Sequence, residues 1–176
     1  TGLDYAILFA TGPYLILFAA QTVAWPKMGL LGHFNTSPLV SFVILALLME
    51  FLNYWLHRAY HHIPALWRIH AVHHSDLEMD ATTSHRHHPL EMLINSCVII
   101  PAVLLLGPDT LTLLIYNMFR IGMAVLSHGN FSLWPGIDRV LRLFIVTPDF
   151  HRLHHSSEQR HTNSNYSAIF TWCDYL

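Results

Sequence analysis

Four long apolar stretches constrain the fold of this chain more than any other feature of its sequence. They cover residues 3–20, 38–56, 90–106 and 109–127. Each approaches the roughly 20 residues that a helix needs to cross about 30 Å of hydrocarbon. The turn Gly107-Pro108-Asp109 joins the last two stretches as a hairpin. The pattern predicts an all-α integral membrane protein with about four transmembrane helices.

The composition supports a membrane protein. Hydrophobic residues make up 53% of the chain and charged residues only 11%, where a typical soluble domain is about a quarter charged. The net charge of −2 argues against the broad basic surface that binds nucleic acid. Cys97 and Cys173 form no metal or redox motif. We expect a single domain over residues 1–176, truncated at its termini.

The positive charges predict an orientation in the membrane. Seven of the nine Lys and Arg residues lie in the segments that carry most of the histidines. If all four stretches span, these seven charges share one side, and the positive-inside rule makes that side cytoplasmic. We therefore expect a multi-pass protein whose histidine-rich helical cap faces the cytoplasm.

The histidines are grouped at helical spacing. The chain reads HRAYH at 57–61, HAVHH at 70–74 and HRLHH at 151–155. Positions i, i+3 and i+4 of a helix share a face, so each motif is expected to aim its imidazoles the same way. Neutral imidazole is the commonest metal ligand in proteins. The spacing predicts a site that binds metal through residues from distant segments.

Ten histidines are candidate ligands, which is too many for one ion and suits two, because a tetrahedral zinc takes four. His128 is included because it ends the fourth stretch. Among the three histidines before Pro89, His88 is preferred over His85 and His87 because it abuts the start of the third stretch. The candidates are His57, His61, His70, His73, His74, His88, His128, His151, His154 and His155.

Glu50 and Tyr54 precede His57 and His61 on the second stretch, and the four residues fall near one helix face. A carboxylate inside a membrane span is costly and usually has a specific partner. We expect the partner of Glu50 to be a ligand imidazole, oriented through its second ring nitrogen.

The residues leave the metal and its use open. Imidazole ligation fits zinc, copper, iron or nickel and disfavours magnesium and calcium. The chain has no HExxH motif, so a zincin-type protease is not supported. A zinc-dependent hydrolase and a membrane metal-binding or transport protein stay as alternatives. The few polar residues within the stretches, and the clustering of histidines at one end, favour a site over a conduit.

A set of motifs follows in a fixed order along the chain: HRAYH, HAVHH, HHPLE at 87–91, His128, TPDFHRLHHS at 147–156, Asn163-x-Asn165-Tyr166 and Trp172-x-Asp174. Together they resemble the fatty acid hydroxylase/sterol desaturase superfamily over roughly residues 40–174. Glu50 stands where that family commonly has Asp, and the HRHHP stretch carries an extra histidine before His88.

The resemblance implies a membrane enzyme with two iron ions, for which zinc is a substitute, and O₂ as co-substrate. It implies hydroxylation or desaturation of a lipid: a fatty acyl chain, sterol, alkylglycerol or carotenoid. The chain has no flavin, haem or nicotinamide motif, so electrons must come from an external donor that is cytochrome b5-like or ferredoxin-like. Glu50, Tyr54, Asp149 and Asn165 are expected to support the ligands, and no catalytic residue beyond the metal centre is assigned.

Overall fold

The computed structural model describes residues 29–176, and this part of the chain is helical. The predicted all-α fold is confirmed there; the first apolar stretch, residues 3–20, lies outside the described residues. Extended pairing in residues 29–176 is limited to an isolated antiparallel bridge between Ile145 and Phe170. The α-helices are α1 (Leu30–His33), α2 (Pro38–His62), α3 (Pro64–His70), α4 (Pro89–Leu106), α5 (Thr110–Ser127), α6 (Pro135–Leu141), α7 (Pro148–His154) and α8 (Gln159–Thr162).

Helices α2, α4 and α5 are long and apolar enough to cross a membrane. They match the second, third and fourth apolar stretches of the sequence. The tight turn between α4 and α5 forms as predicted, and Gly107 adopts a left-handed φ of 59° there, which glycine accepts without steric cost. The side chain of Asp109 then accepts a hydrogen bond from the backbone N–H of Thr112 at 3.0 Å, which caps the start of α5.

One face of α2 consists of exposed apolar side chains spaced four residues apart: Val43, Leu47, Phe51 and Trp55. Such a stripe would be unfavourable in water and is the surface that a helix presents to lipid. Within the second half of α2, the buried side chains include Glu50 and Tyr54, on the face that leads to the histidines.

Three short 3₁₀ turns complete the described elements, at His73–Ser75, Ala81–His85 and Thr171–Tyr175. The first of them corrects an expectation. The spacing of HAVHH predicts one helix through 70–74, but α3 begins at Pro64 and ends at His70, so it does not carry His73 and His74. The chain turns through Ala71 and Val72 into the tighter 3₁₀ geometry, which has three residues per turn.

The chain divides into two compact units. One contains the described residues up to Met49 together with Leu93–Phe119. In it, the ring of Phe42 lies 5.9 Å from the ring of Phe119 and 6.4 Å from that of Tyr116. The other unit contains Glu50–Met92 and Arg120–Leu176, and it holds every candidate metal ligand.

Candidate metal centre

Nine of the ten predicted ligands form two groups of histidines in the second unit. In each group, the potential ligand nitrogens lie within 4.8 Å of one another. The two groups adjoin, because the rings of His74 and His155, one from each group, stack with centroids 4.3 Å apart. The first group is His57, His61, His70, His74 and His154, and the second is His73, His128, His151 and His155.

Each His-x-x-His-His motif contributes to both groups. In 70–74, the first and last histidines belong to the first group, and His73 belongs to the second. In 151–155, the first and last belong to the second group, and His154 belongs to the first. In 151–155, successive residues of the helix rotate by about 100°, so positions i and i+4 nearly coincide in direction, whereas i+3 and i+4 diverge. In 70–74, the division follows the end of α3 at His70 and the 3₁₀ turn that carries His73 and His74. The expectation that each motif aims all its imidazoles one way is therefore wrong.

In the first group, the Nε2 atoms of His57 and His154 lie 3.0 Å apart. The Nδ1 of His57 donates to the carbonyl oxygen of Tyr166 at 2.7 Å, and the Nδ1 of His154 donates to that of Ser164 at 2.6 Å. A carbonyl can only accept, so both neutral rings carry their proton on Nδ1. Both Nε2 atoms then present lone pairs to each other.

A shared cation fits this arrangement. Two nitrogens bonded at about 2.1 Å to one ion, and at right angles, lie about 3 Å apart. Without a cation, two lone pairs at 3.0 Å repel and form no hydrogen bond. The same fixing of the tautomer by the second ring nitrogen is usual for metal-binding histidines.

The second group converges on His128. Its Nδ1 donates to the carbonyl oxygen of Ala124 at 2.8 Å, one turn earlier in α5, so its Nε2 carries the lone pair. The Nε2 atoms of His151 and His73 lie 3.1 and 3.3 Å from it. His128 directly follows the last residue of α5. Although it belongs to no histidine motif of the sequence, the structure places it in the second group.

Burial keeps the cap histidines neutral. It is the main cause that lowers the pKa of His73, His74, His151 and His154 below the usual 6.5, and the neighbouring imidazoles lower it further. The same causes lower the pKa of His155 to about 2 and that of His128 to about 4. Neutral imidazole is the form that binds a metal.

Several buried ring nitrogens have no hydrogen-bond partner in the structure, among them Nε2 of His70, both nitrogens of His74 and Nε2 of His155. Buried polar atoms are normally paired, and unpaired nitrogens close to other ligand nitrogens of their group are suited to metal ligation. With nine imidazoles and no carboxylate in the two groups, the donor set fits iron, zinc, copper or nickel. The residues therefore fit two transition-metal ions.

Glu91 is a residue of the site that the sequence interpretation missed. It is 2% exposed, and its Oε1 accepts from Nδ1 of His70 and from Nδ1 of His87, each at 3.0 Å. The proton on Nδ1 leaves Nε2 of His70 free to face the first group. The available signal was its position in the sequence, because Glu91 is the one charged residue of α4 and lies four residues after His87.

The three histidines before α4 differ in their placement. His87 stacks on His73 with ring centroids 4.5 Å apart, so it lies against the second group. His88, the residue preferred from the sequence, lies outside both groups, and its Nδ1 accepts the backbone N–H of Leu90 at 3.1 Å. His85 is exposed.

Glu50 does not pair with a ligand imidazole, as the sequence predicted, but with backbone N–H groups. Its two carboxylate oxygens accept the backbone N–H groups of Ala168 and Ile169, each at 2.9 Å. Sequence spacing places side chains on one helix face, but it contains no information about the distant backbone that packs against that face.

The other predicted supporting residues contact the surroundings of the histidines. Tyr54 accepts a hydrogen bond from Arg58 at 3.2 Å and packs against Tyr166. Asp149 accepts from Arg152 at 2.7 Å, and Arg152 donates to carbonyl oxygens of the loop that follows His128. Asn165, with a left-handed φ of 56°, donates to the carbonyl oxygen of Phe150 at 3.0 Å.

Helix α7 carries His151 and His154, and His155 is its C-cap. Thr147 is its N-cap and accepts the backbone N–H of Phe150 at 3.4 Å, and Pro148 occupies the first helical position. Thr147 also donates to Asp138 at 2.6 Å. This cap fixes the direction in which His151, His154 and His155 leave the chain.

Comparison with known proteins places the chain in a family. The model of the fatty acid hydroxylase family matches residues 42–176. The chain belongs to the fatty acid hydroxylase family. The resemblance inferred from its histidine motifs is thereby confirmed.

Relatives of the chain come from plants and bacteria. It is 29% identical to very-long-chain aldehyde decarbonylase GL1-4 of Oryza sativa subsp. indica, over 99% of this chain and 28% of that protein. It is 32% identical to ornithine lipid hydroxylase OlsE of Rhizobium tropici, over 90% of this chain and 48% of that protein. The chain thus spans half or less of these two relatives. No solved structure matches it.

Proposed function

We propose that this family member is a membrane-bound, O₂-dependent oxidoreductase that hydroxylates or desaturates a lipid at a centre of two iron ions. The observation that carries the proposal is the pair of adjoining histidine groups, with the Nε2 atoms of His57 and His154 at 3.0 Å. The match to the fatty acid hydroxylase family and the relative named as an ornithine lipid hydroxylase support a lipid-modifying oxygenase.

Two iron ions held by these groups would supply activation of O₂ and removal of hydrogen from an unactivated C–H bond, with electrons from an external donor. The chain's own residues would bind the metal ions and orient the ligand rings. Glu91 and the carbonyl oxygens of Ser164, Tyr166 and Ala124 hold the Nδ1 protons of four ligand rings. These contacts fix the tautomer in which each Nε2 faces the metal.

The substrate class follows from the surroundings of the site. Helix α2 is a candidate membrane span with an exposed apolar stripe, and its last turns carry His57 and His61. A lipid in the same bilayer reaches such a site without leaving the hydrocarbon phase, and its polar head stays at the interface. We infer that the histidine groups lie on the cytoplasmic side, where the excess of arginines would dock an acidic electron donor.

Metal analysis of the full chain, purified in detergent, combined with an oxygen electrode, tests the proposal. We expect two iron ions per chain and O₂ consumption that requires both a reductant and a lipid substrate. Lipidomics of a host with and without the protein then identifies the lipid whose hydroxylated or desaturated form appears. Absence of any transition metal overturns the proposal.

The same preparation separates the alternatives. Formation of product without O₂ would favour a zinc-dependent hydrolase, and metal flux in proteoliposomes would favour a transport protein. Either result contradicts an oxygenase, because an oxygenase requires O₂ and retains its metal.

A further inference from the structure

The segment Ser164–Ile169 holds two ligands of the first histidine group through its backbone. The carbonyl oxygen of Ser164 accepts from His154 of α7, and that of Tyr166 accepts from His57 of α2. The two ligand rings come from helices far apart in the sequence. By accepting from the two Nδ1 atoms, these carbonyls leave both Nε2 atoms free to face one ion.

The segment lies outside the described helices. Four consecutive backbone N–H groups in it donate to two carboxylates. Those of Tyr166 and Ser167 donate to the two oxygens of Asp174, at 2.8 and 3.1 Å. Those of Ala168 and Ile169 donate to the two oxygens of Glu50, each at 2.9 Å.

Every carboxylate oxygen of Glu50 and Asp174 therefore receives one N–H group from the segment. Hydrogen bonds to a charged acceptor are roughly twice as strong as neutral ones. Glu50 is only 1% exposed, so its two oxygens depend on these N–H groups for their hydrogen bonds. At the end of the segment, the carbonyl oxygen of Ile169 also accepts from the N–H of Val146 at 2.8 Å.

We propose that Glu50 and Asp174 are positioning residues for the first histidine group. By clamping the N–H groups of 166–169, they hold the carbonyls of Ser164 and Tyr166 where these set the Nδ1 protons of His154 and His57. The inference rests on the proposed function, since it concerns ligands of the same centre. Glu50 would then support the ligands through the backbone of 168–169, and not through the direct contact with an imidazole that the sequence predicted.

The clamp acts on one group and not on the other. His128 of the second group takes its Nδ1 partner from Ala124 within α5 and not from the segment 164–169. Loss of the clamp is therefore expected to weaken one of two metal-binding steps. A general loss of stability would weaken both together.

The test uses Glu50→Gln and Asp174→Asn in the full chain, each of which keeps the shape of the side chain but replaces one accepting oxygen by a donor. Apoprotein in detergent is titrated with Co²⁺ against a chromophoric chelator. His70→Ala and His128→Ala assign the two binding steps to the first and second groups. We expect the affinity of the first step to fall about 10- to 100-fold, as for other residues that orient a metal ligand, with the second step unchanged.

Thr171→Val is the matched control. Thr171 is fully buried next to the segment, and its hydroxyl has no hydrogen-bond partner in the structure, so the variant is expected to keep both affinities. The absorption bands of Co²⁺ in the first group are also expected to change in both carboxylate variants, which a purely structural role would not cause. If one variant does not fold, the other decides.

The outcomes separate this inference from the proposed function. Wild-type protein that binds two Co²⁺ ions, with both carboxylate variants matching its affinities, overturns the clamp alone. A parallel loss in both steps, with a lower melting temperature, also overturns it, because it indicates a structural role. Wild-type protein that binds no transition metal overturns the proposed function itself.

Discussion

The Nε2 atoms of His57 and His154 lie 3.0 Å apart, and the Nδ1 atom of each ring donates to a backbone carbonyl. The two residues come from different helices, α2 and α7, and the lone pairs they present to each other have no proton between them. This pair therefore predicts a shared cation more directly than the number of histidines does.

Removal of either histidine of this pair is expected to abolish metal binding at the first group. His154 is fully buried, and we expect His154→Ala to lower the metal content from two ions per chain to one and to abolish lipid oxidation. Elemental analysis of protein purified in detergent measures the first effect, and lipid products the second. Two retained ions would show that His154 is not a required ligand.

The histidines before α4 give a second comparison. His88 lies outside both groups, whereas His87 stacks on His73. We expect His88→Ala to keep two ions per chain, and His87→Ala to weaken metal binding at the second group about tenfold or more. Chelator competition on the two variants, which differ by one position, decides. The reverse result would restore the choice made from the sequence.

Glu91 provides a third prediction, because its Oε1 accepts from both His70 and His87. Glu91→Gln removes the charge, and its amide can no longer hold both donors as strongly. We expect weaker metal binding at the first group by about 10- to 100-fold. Since His87 lies against the second group, a smaller loss is expected there. Chelator competition measures both, and unchanged affinities would contradict the role of Glu91.

The sequence predicted the membrane class and nine of the histidines that the structure gathers into two groups. Apolar length and histidine spacing are local properties, so they can be read from the chain. The division of HAVHH and HRLHH between two groups could not be predicted in this way, because it depends on where α3 ends and on which residues face each motif. The partners of Glu50 and the position of Glu91 depend on contacts between distant segments.

Acid is expected to destabilise the metal-free protein. Burial lowers the pKa of His128 to about 4 and that of His155 to about 2, and it lowers the pKa of His73, His151 and His154 as well. In the unfolded chain these groups titrate near 6.5. At any pH between the folded-state pKa of such a histidine and 6.5, the unfolded state binds more protons than the folded state. Stability is therefore full above pH 6.5 and falls as the pH is lowered.

Each such group is expected to reduce the free energy of unfolding by about 1.4 kcal/mol per pH unit once the pH is well below 6.5. Thermal melting of the apoprotein in detergent between pH 7.5 and pH 5 measures the effect. His128→Ala removes one of these groups, so its melting temperature is expected to fall less steeply over the same range. A melting temperature that stays constant from pH 7.5 to pH 5 would mean that these histidines are not held neutral by the fold.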